Sequence, residues 1–394
     1  MSRIVFFCIP AHGHTNPTLG VVRELTARGH EVWYYSYELM REKIEAAGAR
    51  FVSCDAYDSE MRLSAEDAAR VGKDLALSTK VLVETTLALD ETVCAHMQQM
   101  RPDCIVADSM AVWGKAVALK LGIPFVSSTT TFAFNRHSAR IMKQSIGEMV
   151  SMILSMGRIN REVARLTERG YPIRSILDIL QNDEYTHTVV YTSPQFQPCA
   201  QTFTDKYAFV GPSIRPAAGA FPKNGDRLVY LSMGTVNNNM MQLYRSCIAA
   251  FADAPYQVVI SAGEKTDVQA LAPLPANVRV FSHVDQIAVL EQADAFVSHC
   301  GMNSASESLY FGVPLVVLPQ TTEQRGVAAR VLQMGAGVKP DRVSGKAIRA
   351  AVDRVLADDS LRLAARAVGD GFRACSGAKG AADKILRVAS GNRV

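Results

Sequence analysis

The chain has 394 residues, of which 48% are hydrophobic and 20% are charged, and its formal net charge is +4. This length exceeds what one hydrophobic core usually serves, so two domains are expected. The small net charge, without clustered Lys and Arg, argues against nucleic-acid binding. Eight cysteines occur without CxxC spacing, which favours buried free thiols.

The apolar run near the N terminus is only as long as one strand. It covers residues 4–9, and no signal-peptide cleavage site follows it. The sequence therefore predicts a cytoplasmic protein without a membrane span.

Short β-rich runs alternate with longer helical patterns through both halves of the chain, which is typical of parallel βαβ units. The strands predicted in the first half are residues 4–9, 31–35, 50–54, 104–107 and 124–127. Those predicted in the second half are residues 228–232, 257–261, 278–281, 295–298 and 314–318. The pattern predicts two doubly wound α/β domains that bind ligands at the carboxyl ends of their strands.

A segment rich in glycine and proline separates the two halves. It covers residues 211–225 and breaks every periodic pattern, which indicates a linker. The sequence thus predicts an N-terminal domain of residues 1–210 and a C-terminal domain of residues 226–375. Residues 376–394 are predicted to form a helix that packs back on the N-terminal domain.

The first predicted strand leads into a polar turn that contains His12 and His14. Asn16 is predicted to cap the first helix and Pro17 to occupy its first position. An imidazole at the end of a strand titrates near neutral pH, which suits proton abstraction from a hydroxyl group. Either histidine can take that role, whereas their i, i+2 spacing without a cysteine motif makes a poor zinc site.

Asp108 ends another predicted strand and precedes a helix that begins near Ala111. Its carboxylate can accept a hydrogen bond from an imidazole, which fixes the tautomer and stabilises an imidazolium. The alternative is an ordinary helix cap.

The strongest signal follows the predicted strand at residues 295–298. There His299, Asn303 and Ser304 surround a helix start, and Glu307 lies one turn beyond Asn303. A helix start offers unpaired N–H groups and a partial positive charge, so it stabilises a diphosphate without a metal. Glu307 shares the face of Asn303 and can reach ribose hydroxyls, so the set predicts a nucleotide-sugar site.

Two other turns lie at the same level of the second half. Ser232, Gly234 and Thr235 follow its first strand, where the glycine permits close backbone approach and the hydroxyls can donate to phosphate. Glu323 and Gln324 open a later helix and can bond hexose hydroxyls, although the helix dipole alone also favours a glutamate there.

With these motifs in register, the chain resembles the family 1 glycosyltransferases of the GT-B fold, in the bacterial macrolide-type branch of UDP-sugar-dependent enzymes. The matching patterns are His-x-Gly-x-Asn-Ser-x-x-Glu at residues 299–307, Pro-Gln at 319–320, Glu-Gln at 323–324 and Gly-His-x-x-Pro at 13–17. The resemblance extends over essentially the whole chain. It implies two Rossmann-like domains that face each other across a cleft.

The resemblance also implies roles for individual residues. His14 matches the catalytic base and Asp108 its partner. Donor binding is implied for Ser232, Gly234, Thr235, His283, Val284, Gln286, His299, Gly301, Asn303, Ser304, Glu307, Glu323 and Gln324.

The element that binds the uracil base departs from the family pattern at two positions. His283 stands where a stacking Trp or Tyr is usual, and Asp285 replaces a proline. Gln286 keeps the position that reaches the ribose. Asp285 also suits the N-cap of the helix that follows.

The implied reaction is an inverting transfer of a hexose, with glucose preferred, from a UDP-sugar to a hydroxyl of an apolar small molecule. Macrolides, flavonoids and other phenols fit that description. Acceptor contacts are predicted for Phe132, Met142 and Met149, with core packing as the alternative for the methionines. We expect no cofactor or metal besides the UDP-sugar co-substrate, no nucleic-acid partner, and a monomer or weak homodimer.

Three other functions stay open. A nucleotide-sugar epimerase of the same fold would use carboxylates at the sugar and need no acceptor. A nicotinamide-dependent oxidoreductase would need a G-x-G-x-x-G turn with an acidic residue ~20 residues on, which neither half contains. A non-catalytic binding protein would keep the donor pocket and release no UDP.

Overall fold

The structure is a computed structural model that describes residues 1–55, 70, 74–138, 146–180, 186–225, 227–235 and 238–391, with the backbone alone for residues 146–153 and 180. The chain divides into two compact units. Unit 1 comprises Met1–Thr192, Cys199–Ser213 and Ser376–Val394. Unit 2 comprises Ser193–Pro198 and Ile214–Cys375.

The segment Ser193–Pro198 groups with unit 2, although the sequence placed it in the first domain. Arg330 explains this, because its guanidinium donates to the backbone carbonyl of Phe196 at 3.0 Å. The ring of Phe196 also packs edge-on against Phe372, with centroids 5.4 Å apart. The predicted linker is divided between the units after Ser213.

In the described part of unit 1, seven parallel strands form one sheet in the order β3-β2-β1-β4-β5-β6-β7. The strands are β1 (Arg3–Phe7), β2 (Glu31–Ser36), β3 (Arg50–Ser53), β4 (Cys104–Asp108), β5 (Phe125–Thr129), β6 (His187–Val190) and β7 (Tyr207–Phe209). The α-helices are α1 (His12–Ala27), α2 (Arg41–Ala46), α3 (Leu75–Met100), α4 (Val112–Leu121), α5 (Ile146–Glu168) and α6 (Ile176–Leu180).

Helix α1 begins at His12, so the predicted start at Pro17 with Asn16 as its cap is wrong. Ala11 is the N-cap residue, and its carbonyl accepts the amides of His14 and Thr15 at 2.9 Å each. These bonds complete the first turn before Pro17, which then removes only one interior hydrogen bond. His14 consequently lies in the first turn of the helix.

In the described part of unit 2, six parallel strands form a sheet in the order β10-β9-β8-β11-β12-β13. The strands are β8 (Leu228–Ser232), β9 (Gln257–Ser261), β10 (Val278–Phe281), β11 (Ala295–Ser298), β12 (Leu315–Val317) and β13 (Gly337–Val338). The α-helices are α7 (Met241–Phe251), α8 (Gln286–Leu290), α9 (Met302–Tyr310), α10 (Thr322–Gln333), α11 (Gly345–Ala357) and α12 (Asp359–Arg373).

The last α-helix, α13 (Gly377–Ala389), belongs to unit 1. Its residues Ala381, Ala382 and Ile385 are buried in the same core as strand β1. The guanidinium of Arg28, the C-cap residue of α1, lies 2.6 Å from the carboxylate of Asp383 on the outer face of this last helix.

Both sheets bury apolar side chains on their two faces, as parallel sheets covered by helices do. The eight cysteines, all in the described part of the chain, are free thiols, with Cys199 and Cys375 only half-buried. No helix in the described ranges has the length and apolar character that crossing a membrane requires.

The strand order of each sheet reverses at one point. This point lies between β1 and β4 in unit 1 and between β8 and β11 in unit 2. Strand register places Phe7 beside Ala107 at the first point and Ser232 beside Ser298 at the second. Doubly wound sheets bind ligands at the carboxyl ends of strands at such points. The polar turns predicted from the sequence follow these four strands.

Candidate active site

His14 and Asp108 meet at the carboxyl ends of β1 and β4. Nδ1 of the imidazole lies 2.8 Å from Oδ2 of the carboxylate. The side chain of Asp108 is 0% exposed, whereas that of His14 is 26% exposed. The other carboxylate oxygen accepts the amide of Met110 at 2.9 Å, which holds the group in this orientation. A buried carboxylate therefore orients a solvent-accessible imidazole.

This geometry determines which ring nitrogen can take a proton. With Nδ1–H donated to Asp108, the lone pair of a neutral imidazole is on Nε2. The hydroxyl oxygen of Thr130 also lies 3.2 Å from Nδ1. No motif indicated Thr130, because its approach to His14 depends on the placement of β5 beside β4, which pairs Ser128 with Asp108.

His12 has a different environment. Its Nδ1 lies 3.3 Å from the ammonium nitrogen of Lys43, whereas Nδ1 of His14 lies beside the buried carboxylate of Asp108. Among the residues described here, no group of three or more His, Cys, Asp or Glu side chains is arranged to hold a metal ion.

In unit 2, the ring of His299 lies between two glycines. A β-carbon on Gly234 would lie 2.6 Å from Cε1 and Nε2 of the ring, and one on Gly301 would lie 2.7 Å from Nε2. Gly234 also has a φ of +81°, a conformation that other residues rarely adopt. The turns after β8 and β11 therefore pack against each other through this imidazole.

Partial burial lowers the pKa of His299 to about 4, against the opposing effect of the Ser232 backbone carbonyl. The imidazole is consequently neutral near pH 7. Its Nδ1 atom is buried and has no hydrogen-bond partner among the residues that the structure describes. A neutral imidazole can still donate one N–H to an anion.

Two serines shape these turns from equivalent positions. The hydroxyl oxygen of Ser232 accepts the amide of Gly234 at 3.3 Å, and that of Ser298 accepts the amide of Cys300 at 3.1 Å. Cys300 has a φ of +61°, so this turn holds a non-glycine residue in the left-handed region. Each serine oxygen thus closes the turn that follows its strand by accepting the amide two residues further on.

Gln286 and Glu307 come together although they are distant in sequence. Nε2 of Gln286 lies 2.5 Å from Oε2 of Glu307 and 3.4 Å from the hydroxyl of Ser304. Oε1 of Gln286 accepts the hydroxyl of Tyr230 at 3.4 Å. Burial raises the pKa of Glu307, and the bond from Gln286 partly offsets that effect. This pair lies at the positions that the resemblance assigns to ribose binding.

Asp285 caps helix α8 as predicted, because its side chain accepts the amide of Ile287 at 3.1 Å. The same carboxylate pairs with the guanidinium of Arg215 and accepts the amide of Ala218 at 2.6 Å. Burial alone would raise the pKa of Asp285, but these donors outweigh it and lower the pKa to about 2. Asp285 thus ties the segment at 215–218 to α8, beside the exposed His283.

Gln324 has a structural role at the start of α10. Its Oε1 accepts the amides of Gln320 at 2.8 Å and of Thr321 at 3.2 Å, and the hydroxyl of Thr321 accepts the amide of Gln324 at 3.3 Å. This reciprocal pair is a capping box. The neighbouring Glu323 is half-buried in the first turn of the helix.

The predicted acceptor residues are only partly described. Phe132 is buried and follows β5. Met142 lies outside the described residues, and Met149 lies in α5, where the structure describes only the backbone.

Comparison with known proteins identifies the class. Residues 245–378 match the family described as "Erythromycin biosynthesis protein CIII-like, C-terminal domain". The chain is 31% identical to the "Uncharacterized UDP-glucosyltransferase YojK" of Bacillus subtilis over 98% of this chain and 97% of that protein. It is 31% identical to the demethyllactenocin mycarosyltransferase of Streptomyces fradiae over 98% of this chain and 86% of that protein.

Among solved structures, the calicheamicin glycosyltransferase CalG4 superposes with a TM-score of 0.81 at 28% identity, covering 100% of both chains. The protein is therefore an enzyme of the glycosyltransferase class with the GT-B fold. It belongs to the macrolide-type branch of the family 1 glycosyltransferases.

These findings confirm the family, fold and enzyme class that the sequence predicted. Membership also implies a nucleotide-sugar donor and a small-molecule acceptor. The relatives give no support to the epimerase alternative.

Proposed function

We propose that the protein is an inverting glycosyltransferase that moves a hexose, with glucose preferred, from a UDP-sugar to a hydroxyl group of an apolar small molecule. The observation that carries the proposal is the buried Asp108 carboxylate, 2.8 Å from the solvent-accessible imidazole of His14. No metal takes part in the proposed chemistry.

The proposed base is Nε2 of His14. It removes the proton of the acceptor hydroxyl as that oxygen attacks the anomeric carbon of the sugar. The bond to UDP breaks, UDP leaves with the electron pair, and this single displacement inverts the anomeric centre. Asp108 stabilises the imidazolium that forms, and general-base catalysis of this kind typically contributes ~10²–10⁴ in rate.

The proposed donor site lies in unit 2. The start of α9 and the neutral ring of His299 offer N–H donors to the diphosphate, which also absorb the charge that develops on UDP. Asn303 and Ser304 add side-chain donors at that helix start. Glu307 and Gln286, which share a hydrogen bond, are the proposed partners of the two ribose hydroxyls.

The identity of the sugar is the finer part of the proposal. The relatives include a UDP-glucosyltransferase and a mycarosyltransferase, so the same framework accepts different donors. Glu323 and Gln324 are the proposed sugar contacts, and the capping box fixes the orientation of Gln324. The named substrates of the Streptomyces relatives, demethyllactenocin and oleandomycin, support a hydroxylated natural product as acceptor.

An assay that measures release of the nucleoside diphosphate, UDP or dTDP, tests this proposal. It combines UDP-glucose, UDP-galactose and a dTDP-deoxysugar with a panel of macrolides, flavonoids and simple phenols. The proposal predicts acceptor-dependent UDP release that is highest with UDP-glucose. Release only from the dTDP-sugar would overturn the donor assignment, and no release with any acceptor would favour a non-catalytic binding protein.

A further inference from the structure

Asn238 is a buried polar residue that the sequence patterns did not indicate. It is 3% exposed. Its side-chain amide donates from Nδ2 to the backbone carbonyl of Gly234 at 2.8 Å. The amide also packs against Gly263, where a β-carbon would lie 2.0 Å from Nδ2. Asn238 therefore fills the space between two glycine turns.

The backbone of Asn238 is anchored independently of its side chain. Its carbonyl accepts the hydroxyl of Tyr244 in α7 at 2.9 Å and that of Thr266 at 3.4 Å. The side chain thus projects from a fixed point toward the turn after β8. A shift of the Asn238 backbone would disturb these bonds.

Gly234 is consequently held from two directions. Asn238 bonds its carbonyl, and the imidazole of His299 packs against its α-carbon without room for a side chain. A continuous series of contacts runs through Gly263, Asn238, Gly234, His299 and Gly301. The position of the His299 ring therefore depends on where Asn238 holds the Gly234 peptide.

The chemistry of Asn238 argues against simple space filling. Its Oδ1 atom is buried and has no hydrogen-bond partner in the described part of the chain. An unsatisfied buried acceptor destabilises the folded chain, a cost that an apolar residue of similar size avoids. The bond from Nδ2 to Gly234 is the interaction that an apolar residue cannot supply.

We propose that Asn238 is a positioning residue for the donor diphosphate, which it controls by fixing the turn at residues 232–235 and the His299 ring behind it. The proposal rests on the proposed function, in which this turn and His299 contact the diphosphate. Asn238 itself touches no substrate in this proposal.

Asn277 provides a matched control in the same unit. Its Nδ2 also donates to backbone carbonyls, those of Phe251, Ala254 and Tyr256 at 2.9, 3.2 and 3.1 Å. Its Oδ1 is likewise buried without a partner among the described residues. Asn277 precedes β10, and its hydrogen bonds in the described part of the chain join it to backbone groups at residues 251–258, so its substitution tests stability alone.

The test compares Asn238→Asp with Asn277→Asp in the full-length enzyme. Each change keeps the shape and replaces a donating NH₂ group by an oxygen that faces a carbonyl. Thermal unfolding, the Kd for UDP, and the KM for donor and acceptor are measured for both. Asn238→Ser, which is too short to bond Gly234 but carries no charge, serves as a second variant if Asn238→Asp does not fold.

The proposal predicts that both Asp variants unfold at lower temperature. Only substitution of Asn238 should raise the donor KM and the Kd for UDP, by ~10-fold or more, while the acceptor KM stays near the parental value. A purely structural role would leave donor KM and UDP affinity unchanged in both variants. That outcome for Asn238→Asp, or for Asn238→Ser in its place, overturns the inference.

A third variant separates this inference from the proposed function. Gly234→Ala must displace the His299 ring directly. If it leaves UDP affinity unchanged, the donor-site assignment fails and the role of Asn238 fails with it. If Gly234→Ala weakens UDP binding and the Asn238 variants do not, only the inference about Asn238 is wrong.

Discussion

The imidazole ring of His299 packs so closely on Gly234 that a β-carbon on the glycine would lie 2.6 Å from two ring atoms. This contact joins the ends of β8 and β11, the two strands between which the strand order of the unit 2 sheet reverses. Motifs about 65 residues apart in the sequence thereby become one surface. The donor site depends on this packing as much as on its polar groups.

Gly234→Ala should weaken donor binding, because the new methyl group displaces the imidazole and strains a turn with φ of +81°. We expect the kcat/KM for the donor to fall by ~10²-fold, which corresponds to about 3 kcal/mol. Steady-state kinetics with varied donor measures this. Gly219→Ala is the control, because a β-carbon there meets nothing within 4 Å. Parental kinetics in Gly234→Ala would contradict the packing argument.

Asp108→Asn should reduce kcat strongly while leaving the donor KM unchanged. An amide at this position can donate to Nδ1, which moves the imidazole proton to Nε2 and removes the proposed base. The expected loss is ~10²–10⁴-fold. Rapid-quench measurement of the transfer step checks it, and a kcat within twofold of the parent would exclude Asp108 from catalysis.

Thr130→Val should have a smaller effect on the same step. It removes only the hydroxyl that lies 3.2 Å from Nδ1 of His14 and keeps the shape of the side chain. We expect kcat to fall by ~3- to 10-fold, the usual value of one hydrogen bond. The pH dependence of kcat should shift in the same variant, and an unchanged profile would show that Thr130 does not influence the imidazole.

The lowered pKa of His299 predicts a specific pH dependence of stability. As pH falls below about 6.5, the unfolded chain takes up this proton first, while the folded ring resists protonation until its pKa of about 4. His299 therefore reduces the free energy of unfolding progressively between pH 6.5 and 4, by on the order of 2 kcal/mol after allowance for its partial exposure.

Urea unfolding at pH 7, 5.5 and 4.5 measures this effect. His299→Gln should lose less stability than the parent across that range, because it has no such proton to gain. His283→Gln is the control, since it replaces an exposed histidine of the same unit by the same residue. If the free energy of unfolding fell equally with pH in all three proteins, the assignment of His299 as a neutral, largely buried imidazole would be refuted.

Arg215 and Asp285 should be energetically coupled, because their side chains form an ion pair. Asp285→Ala is expected to destabilise more than Arg215→Ala, since Asp285 also caps α8 and accepts the amide of Ala218. A double-mutant cycle by thermal unfolding should give a coupling energy of about 0.5–1 kcal/mol for this half-exposed pair. A zero coupling energy would mean that the ion pair contributes nothing to holding residues 215–218.

Much of the fold could be predicted from the sequence, because parallel strands are short apolar runs between polar turns. Four strands of unit 2, β8 to β11, have the ends that the pattern predicted, and the ends of six others differ by at most two residues. The strands β6, β7 and β13 were not predicted, and the last two span only three and two residues, too few to show a periodic pattern. The start of α1 was misplaced because Pro17 is typical of a first position but lies within the helix.

The candidate site was predictable where its residues form local motifs. Three residues near the site belong to no motif: Thr130, which contacts His14, Arg215, which contacts Asp285, and Asn238, which contacts Gly234. These contacts depend on the order of strands and the paths of loops. Contacts of this kind between distant residues leave no pattern in a single sequence. The Asp285 cap, in contrast, was predicted because it depends on neighbours two and three residues away.

The most direct test of the account measures transfer by His14→Ala together with its affinity for UDP. We expect the transfer rate to fall by ~10²–10⁴-fold while the Kd for UDP stays at the parental value, because the proposed base contacts the acceptor and not the donor. His12→Ala should transfer at the parental rate. Transfer by His14→Ala at the parental rate would contradict the central claim that this imidazole activates the acceptor.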